Sequence, residues 1–168
     1  WDVDLFRRRN LLCQDIPNGP ISKIKKKNTK IIIVSEAKDT VEYLEKRLNK
    51  QFDGEVISFS GSDSDSKKEY IKRNFDPKDK NQINEKNILI TTDAMSEGIN
   101  LHRANIIINY DLPWNPTRVM QRVGRINRVG SNYDDLYVYN YFPAVNTRKH
   151  LSLEESIKIK IQMFHSLL

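Results

Sequence analysis

Residues Gln121-Arg122-Val123-Gly124-Arg125-Ile126-Asn127-Arg128-Val129-Gly130 gather guanidinium groups at a spacing that can do phosphate chemistry. On a helix, Gln121, Arg125 and Arg128 fall at i, i+4 and i+7 and share one face, while Val119, Val123 and Ile126 share another. The apolar stripe is expected to bury and the arginines to project. Gly124 inside such a helix costs about 1 kcal/mol relative to Ala, a cost that makes sense where another backbone or a ligand must come close. From Asn87 to Arg148 the cationic side chains are Arg103, Arg118, Arg122, Arg125, Arg128 and Arg148, with no lysine. Planar, permanently charged forks suit bidentate binding of phosphate oxygens better than ammonium groups do. Three arginines on a surface helix could also serve solubility alone, so the neighbouring segments decide.

The elements that must hold this helix are legible as alternating short apolar runs and amphipathic stretches. Ile31-Ile32-Ile33-Val34 is a β-branched run suited to a strand covered on both faces. Val41, Leu44 and Leu48 stand at helical spacing within Thr40 to Leu48. Val56 to Phe59 predicts a second strand, and Tyr70, Ile71 and Phe75 a second helix that Pro77 ends. Ile88 to Ile90, Ile106 to Ile108 and Leu136 to Tyr141 predict three more strands, with a helical stretch from about Thr117 to Arg128 before the last. Alternation of this kind implies right-handed crossovers and a mainly parallel sheet, whose ligands collect at the carboxyl ends of strands. Chemistry is therefore expected just after Val34, Phe59, Ile90 and Ile108.

With that order in place, Gln121 to Gly130 resembles motif VI of superfamily 2 helicases, in the form found in the Swi/Snf-type and RapA-like branch. Thr91-Thr92-Asp93-Ala94-Met95-Ser96-Glu97-Gly98-Ile99-Asn100-Leu101 resembles motif V, and Asn109 to Pro116 resembles the segment between those motifs. Ile31 to Ser35 resembles motif IV, and Phe59-Ser60-Gly61 motif IVa. The likeness covers roughly Lys30 to Tyr141. It implies a three-layer α/β RecA-like domain (P-loop NTPase-like), with a mainly parallel central sheet and helices on both faces, acting as the C-terminal motor domain of a nucleic-acid-dependent ATPase. By the same resemblance Arg128 is the arginine finger, Arg125 its companion, and Gln121 the residue that orients or senses the γ-phosphate. Gly98, Asn100 and Glu97 are placed near the nucleotide, and Ser35, Gly61, Thr91 and Thr92 at the nucleic-acid strand.

No G-x-x-x-x-G-K-[ST] occurs, and no acidic pair follows an apolar strand in the manner that holds Mg²⁺. ATP and Mg²⁺ are thus expected to be held mainly by an N-terminal RecA-like domain of the same polypeptide, outside this sequence. The organisation expected is a basic connector over 1–29, with a short helix over Leu5 to Cys13, the RecA-like domain over 30–146, and a C-terminal helix over 147–168. A catalytically inert docking platform is the competing reading, and the arginine pair together with motif V argues against it.

Charge and composition narrow the rest. The first 30 residues hold eight Lys or Arg against three Asp, while the remainder holds 20 against 19, within a net charge of +6. A nearly neutral body does not hold DNA by a broad positive field, so strand contacts are expected to be local, through hydroxyls and backbone N–H groups. Arg7-Arg8-Arg9 and Lys25-Lys26-Lys27 read as solvated linker charge. Cys13 is the only cysteine, which excludes intramolecular disulfides and suits a reducing interior. A cytoplasmic site is expected, nucleoid-associated in a bacterium, and no apolar run approaches the roughly 20 residues that span a bilayer. His102, His150 and His165 make no metal-ligand spacing, so no metal site is expected. Trp114, between prolines, reads as packing. The track is expected to be DNA rather than RNA, and the chain alone a monomer. A phosphate-release assay on this chain alone is expected to show no ATP turnover above background.

Overall fold

A computed structural model describes residues 29–96, 99–113, 115–126, 133 and 136–141. The connector, the Leu5 to Cys13 helix and the C-terminal helix expected from the sequence lie outside the described residues.

Strands β1 (Ile31–Val34), β2 (Val56–Phe59), β3 (Ile88–Thr91), β4 (Ile106–Asn109) and β5 (Tyr137–Asn140) form one sheet in the order β2-β3-β1-β4-β5. Every pairing is parallel. Helices α1 (Lys38–Asn49), α2 (Asp65–Phe75) and α3 (Pro116–Val123) alternate with them. β-Branched residues suit these strands because the first four are buried along their whole length.

The period of two along each strand divides the core into layers. Ile31, Ile33, Ile88, Ile90, Ile106 and Ile108 face α1, which contributes Val41, Leu44 and Leu48. On the opposite face Ile32, Val34, Ile57, Phe59, Leu89 and Ile107 meet Ile71 and Phe75 of α2, with Val123 and Ile126 of the arginine segment. Fully burying a leucine such as Leu44 contributes about 1.5–3 kcal/mol. The chain moves from β1 outward to β2 across one face, then returns through β3 to β4 and β5 across the other. A reversal of direction accompanied by a change of face is what right-handed crossovers require.

Local signals set the helix ends. Ser64 caps α2, its side chain accepting from the Lys67 N–H. Asn115 caps α3 in the same way, with Pro116 in the first turn, where its missing N–H costs nothing. The arginine helix is shorter than the sequence spacing predicts. After Val123 the chain tightens, with Arg125 N–H bonded to Arg122 O at 3.2 Å and Ile126 N–H to Val123 O at 3.0 Å. These i→i−3 bonds change the angular step per residue. Gln121 and Arg125 therefore do not share the face of one continuous α-helix.

At the amino edge Lys30 is 2% exposed. Its Nζ donates to Lys86 O and Asn87 Oδ1 and stands 4.9 Å from the centre of the Phe75 ring. Burial, and then the Arg103 guanidinium, lower its pKa to about 8, against an opposing pull from Glu55. Between that pH and the ordinary lysine range the folded chain has released a proton that the unfolded chain still carries. Stability must then rise with pH across that window. Urea denaturation of wild type and Lys30→Met between pH 7 and 10 is expected to show the wild type gaining on the variant above about pH 8. Parallel curves would remove Lys30 as the cause.

Candidate functional site

The last rung of the sheet aligns Phe59, Thr91, Val34, Asn109 and Asn140 on adjacent strands. Just beyond it the chain turns out of each strand, and four of the residues expected to carry function stand there. Ser35 N–H donates to Thr91 O at 3.0 Å, and Thr92 N–H to Phe59 O at 3.2 Å. A Cβ on Gly61 would lie 3.2 Å from Cβ of Ala94, so the turns after β2 and β3 approach closely where glycine stands.

The four differ in what they offer outward. Ser35 is fully buried, with its Oγ donating to the Asp111 carboxylate and its N–H already spent on Thr91. Thr91 is buried, and its Oγ1 donates to Thr92 O at 3.0 Å. Thr92 is half-buried and Gly61 exposed, so these two reach the surface.

A buried arginine holds this edge together, and it is one the sequence spacing did not single out. The Arg122 side chain is 4% exposed and grips Asp93 with two parallel bonds, Nε to Oδ1 at 2.6 Å and Nη2 to Oδ2 at 2.7 Å. Nη1 donates to Asn109 Oδ1 at 3.2 Å and to Asp111 O at 3.0 Å. Asn109 in turn donates to Asn140 Oδ1 at 2.7 Å, completing a polar row across the ends of β4 and β5. A planar fork fits two carboxylate oxygens at once, and burial strengthens the attraction while making any unpaired member costly. The signal was present: Arg122 stands three residues after Val119 and four before Ile126, on the apolar stripe. An arginine there must find buried acceptors, and Asp93 and Asp111 each follow an apolar strand.

Around this anchor Gln121 is exposed and Arg125 half-buried. Arg125 lines a small pocket together with Thr91, Thr92, Asp93 and Arg122 and the apolar side chains of Ile32, Val34, Leu101 and Ile107. Its guanidinium makes no hydrogen bond or ion pair among the described residues, whereas Arg118 pairs with Glu36 at 3.1 Å and Arg122 is fully engaged. Gly124 is exposed, and only the carbonyls of Met120 and Gln121 lie within 4 Å of where its Cβ would be. Among the described residues, then, no other element makes the close approach that the glycine suggested. Asn100 is drawn elsewhere, its Nδ2 3.4 Å from Oδ2 of Asp76 at the end of α2. Arg128, Glu97, Gly98 and Trp114 lie outside the described residues.

Five parallel strands in this order, with helices on both faces and the arginine segment at the carboxyl edge, define a RecA-like lobe. The chain belongs to the helicase conserved C-terminal domain family, which matches residues 9–130. It is 37% identical over 145 residues to the uncharacterized ATP-dependent helicase YqhH of Bacillus subtilis (strain 168), covering 86% of this chain and 24% of that protein. It is 44% identical over 52 residues to the RNA polymerase-associated protein RapA of Vibrio parahaemolyticus, 30% of this chain and 5% of that one. Relatives named as ATP-dependent RNA helicases and as ATP-dependent DNA helicases both occur. Among solved structures, the C-terminal part of the Fun30 ATPase domain superposes with a TM-score of 0.63 at 21% identity, over 85% of this chain and 42% of that one, and this likeness shows the fold. The superfamily 2 helicase resemblance of the motifs is thereby established.

Removing Asp93 would leave the Arg122 charge buried with only Asp111, 3.9 Å away, to offset it. Asp93→Ala is expected to cost about 3 kcal/mol in urea denaturation, and Arg118→Ala, at an exposed pair, less than about 1 kcal/mol. Equal costs would contradict the anchoring role.

Proposed function

We propose that this chain is the second motor lobe of an ATP-driven nucleic-acid helicase or translocase of the Swi/Snf type, completing an ATP site whose phosphate-binding loop belongs to a preceding RecA-like lobe. The observation that carries the reading is the contrast among the arginines of one segment. Arg122 is consumed in holding the segment to the sheet edge, while Arg125, half-buried in the lining of the same pocket, has its charge unmet among the described residues. A fixed segment presenting a guanidinium fork that no described residue pairs is what recognition of an oxyanion from a facing lobe needs.

The donor set fits a nucleoside triphosphate approached from outside. Arg125, and Arg128 beyond it, would hold the γ-phosphate, with Arg128 as the finger and Gln121 orienting the site. Glu97, Gly98 and Asn100 would line the nucleotide side, which requires Asn100 to exchange its contact with Asp76. Mg²⁺ would be held by the other lobe and would neutralise phosphate charge there. This chain's own part is electrostatic: it brings preorganised guanidinium groups to where charge develops, and the pull across the cleft draws the lobes together.

Closure would move the carboxyl-edge turns relative to their counterparts and so step the protein along a strand. Gly61 and Thr92 would touch the strand directly, while Ser35 and Thr91 shape the turns from beneath. Duplex DNA is the preferred track on the pattern of the Gln121 to Gly130 segment, and the nearly neutral body limits the contact to few phosphates. The parent would work in the cytoplasm, on the nucleoid in a bacterium.

In the full-length parent, Arg128→Ala is expected to lower ATP turnover about 10³-fold while leaving ATP affinity within several-fold. An unchanged turnover number in a steady-state assay would refute the assignment.

A further inference from the structure

Asp111, immediately beyond β4 and Tyr110, belongs to two parts of the carboxyl edge at once. Its carboxylate accepts the Glu36 N–H through both oxygens, at 2.9 and 3.0 Å, and the Ser35 hydroxyl as well. Its carbonyl accepts from Arg122 Nη1 at 3.0 Å, and its carboxylate lies 3.9 Å from Nη2 of the same arginine. The turn between β1 and α1 is thus tied to the arginine segment through one residue. A second tie runs in parallel on the surface, where Arg118 of α3 reaches Glu36 at 3.1 Å.

We propose that Asp111 is the positioning residue that passes strand occupancy at Thr92, through the Ser35–Thr91 bond and the β1–α1 turn, to the phosphate-sensing segment, and so couples nucleic-acid binding to ATP turnover. The inference rests on the motor reading given above.

The chain of contacts is short. The Ser35–Glu36 turn is held by the Asp111 carboxylate, Asp111 is held by Arg122, and Arg125 N–H is bonded to the Arg122 carbonyl at 3.2 Å. The Ser35 and Arg122 links are part-buried and the Glu36 link is exposed, and those at the carboxylate are charge-assisted, hence stiffer than neutral bonds. A displacement of the turn by a bound strand is carried through the part-buried Ser35 hydroxyl and Asp111 carbonyl. It must shift the Arg122 fork, and Arg125 follows. Asparagine at position 111 keeps the shape, removes the charge facing Arg122, and leaves one acceptor oxygen in place of the two that now hold the Glu36 N–H.

The test uses the full-length parent, with ATP turnover measured in the absence and presence of saturating duplex DNA and, separately, single-stranded RNA, and a thermal melt of each variant. Asp111→Asn is expected to lower the ratio of stimulated to unstimulated turnover about tenfold, within the ordinary range of coupling between sites, while unstimulated turnover stays within about twofold. An unchanged ratio overturns the proposal. So does a fall of both rates by one common factor, the mark of a merely structural residue. Should Asp111→Asn fail to fold, Glu36→Arg is expected to cost about threefold in the same ratio, and the exchanged pair Glu36→Arg with Arg118→Glu to restore it. No loss, or no restoration, then counts against the coupling route. A wild-type parent stimulated by neither polymer would defeat the motor reading itself, whatever the variants do.

Discussion

The architecture of this lobe depends on one guanidinium that never reaches solvent. Arg122 enters the core on the apolar side of α3 and is neutralised by Asp93, with Asn109 and the Asp111 carbonyl filling its remaining donor positions. A buried ion pair is a weak source of net stability, because desolvation offsets most of the Coulombic gain, but it tolerates only one arrangement of its members. Three segments distant in sequence, the turn after β3, the end of β4 and α3, are thereby held in register with one another. The rim residues inherit that register.

The division of labour among neighbouring arginines follows from position on the helix. Arg118 is exposed and pairs with a surface carboxylate, Arg122 is buried and anchors, and Arg125 stands between those extremes. Three chemically identical side chains within eight positions thus have three roles, separated only by how much water each retains. The tightened turn after Val123 adds to this, since it carries Arg125 off the line that a regular α-helix would have given it.

The sheet is legible in the sequence because its first four strands are short apolar runs, rich in β-branched residues and buried on both faces, and each strand falls where expected to within a residue or two. Helix α2 ended where Pro77 required. Helix α3 was read too long, since the apolar spacing of Val119, Val123 and Ile126 persists through the tightened turn and periodicity alone does not register a change in hydrogen-bond pattern. The anchoring role of Arg122 is hidden for a related reason: the i, i+4, i+7 spacing groups the projecting arginines and leaves out the one on the inward stripe. Ser35 and Thr91 illustrate the limit of hydroxyl arguments, because a side chain that can meet phosphate can equally close a turn from within, and burial decides between them. The bonds of Asp111 to Ser35 and Glu36 are not legible in the sequence, since those residues stand in the turn after β1 and only the crossover topology brings that turn beside the end of β4.

The chain belongs to the helicase C-terminal family, while the proposed mechanism turns on what Arg125 and Arg128 would face across from a preceding lobe. The most direct measurement is a structure of the full-length parent bound to Mg²⁺ and a non-hydrolysable ATP analogue. The account predicts the Arg125 or Arg128 guanidinium at hydrogen-bond distance, about 3 Å, from a γ-phosphate oxygen, with the Arg122–Asp93 fork unbroken beneath it. Both guanidinium groups turned to solvent, with the γ-phosphate met by the first lobe alone, would contradict it.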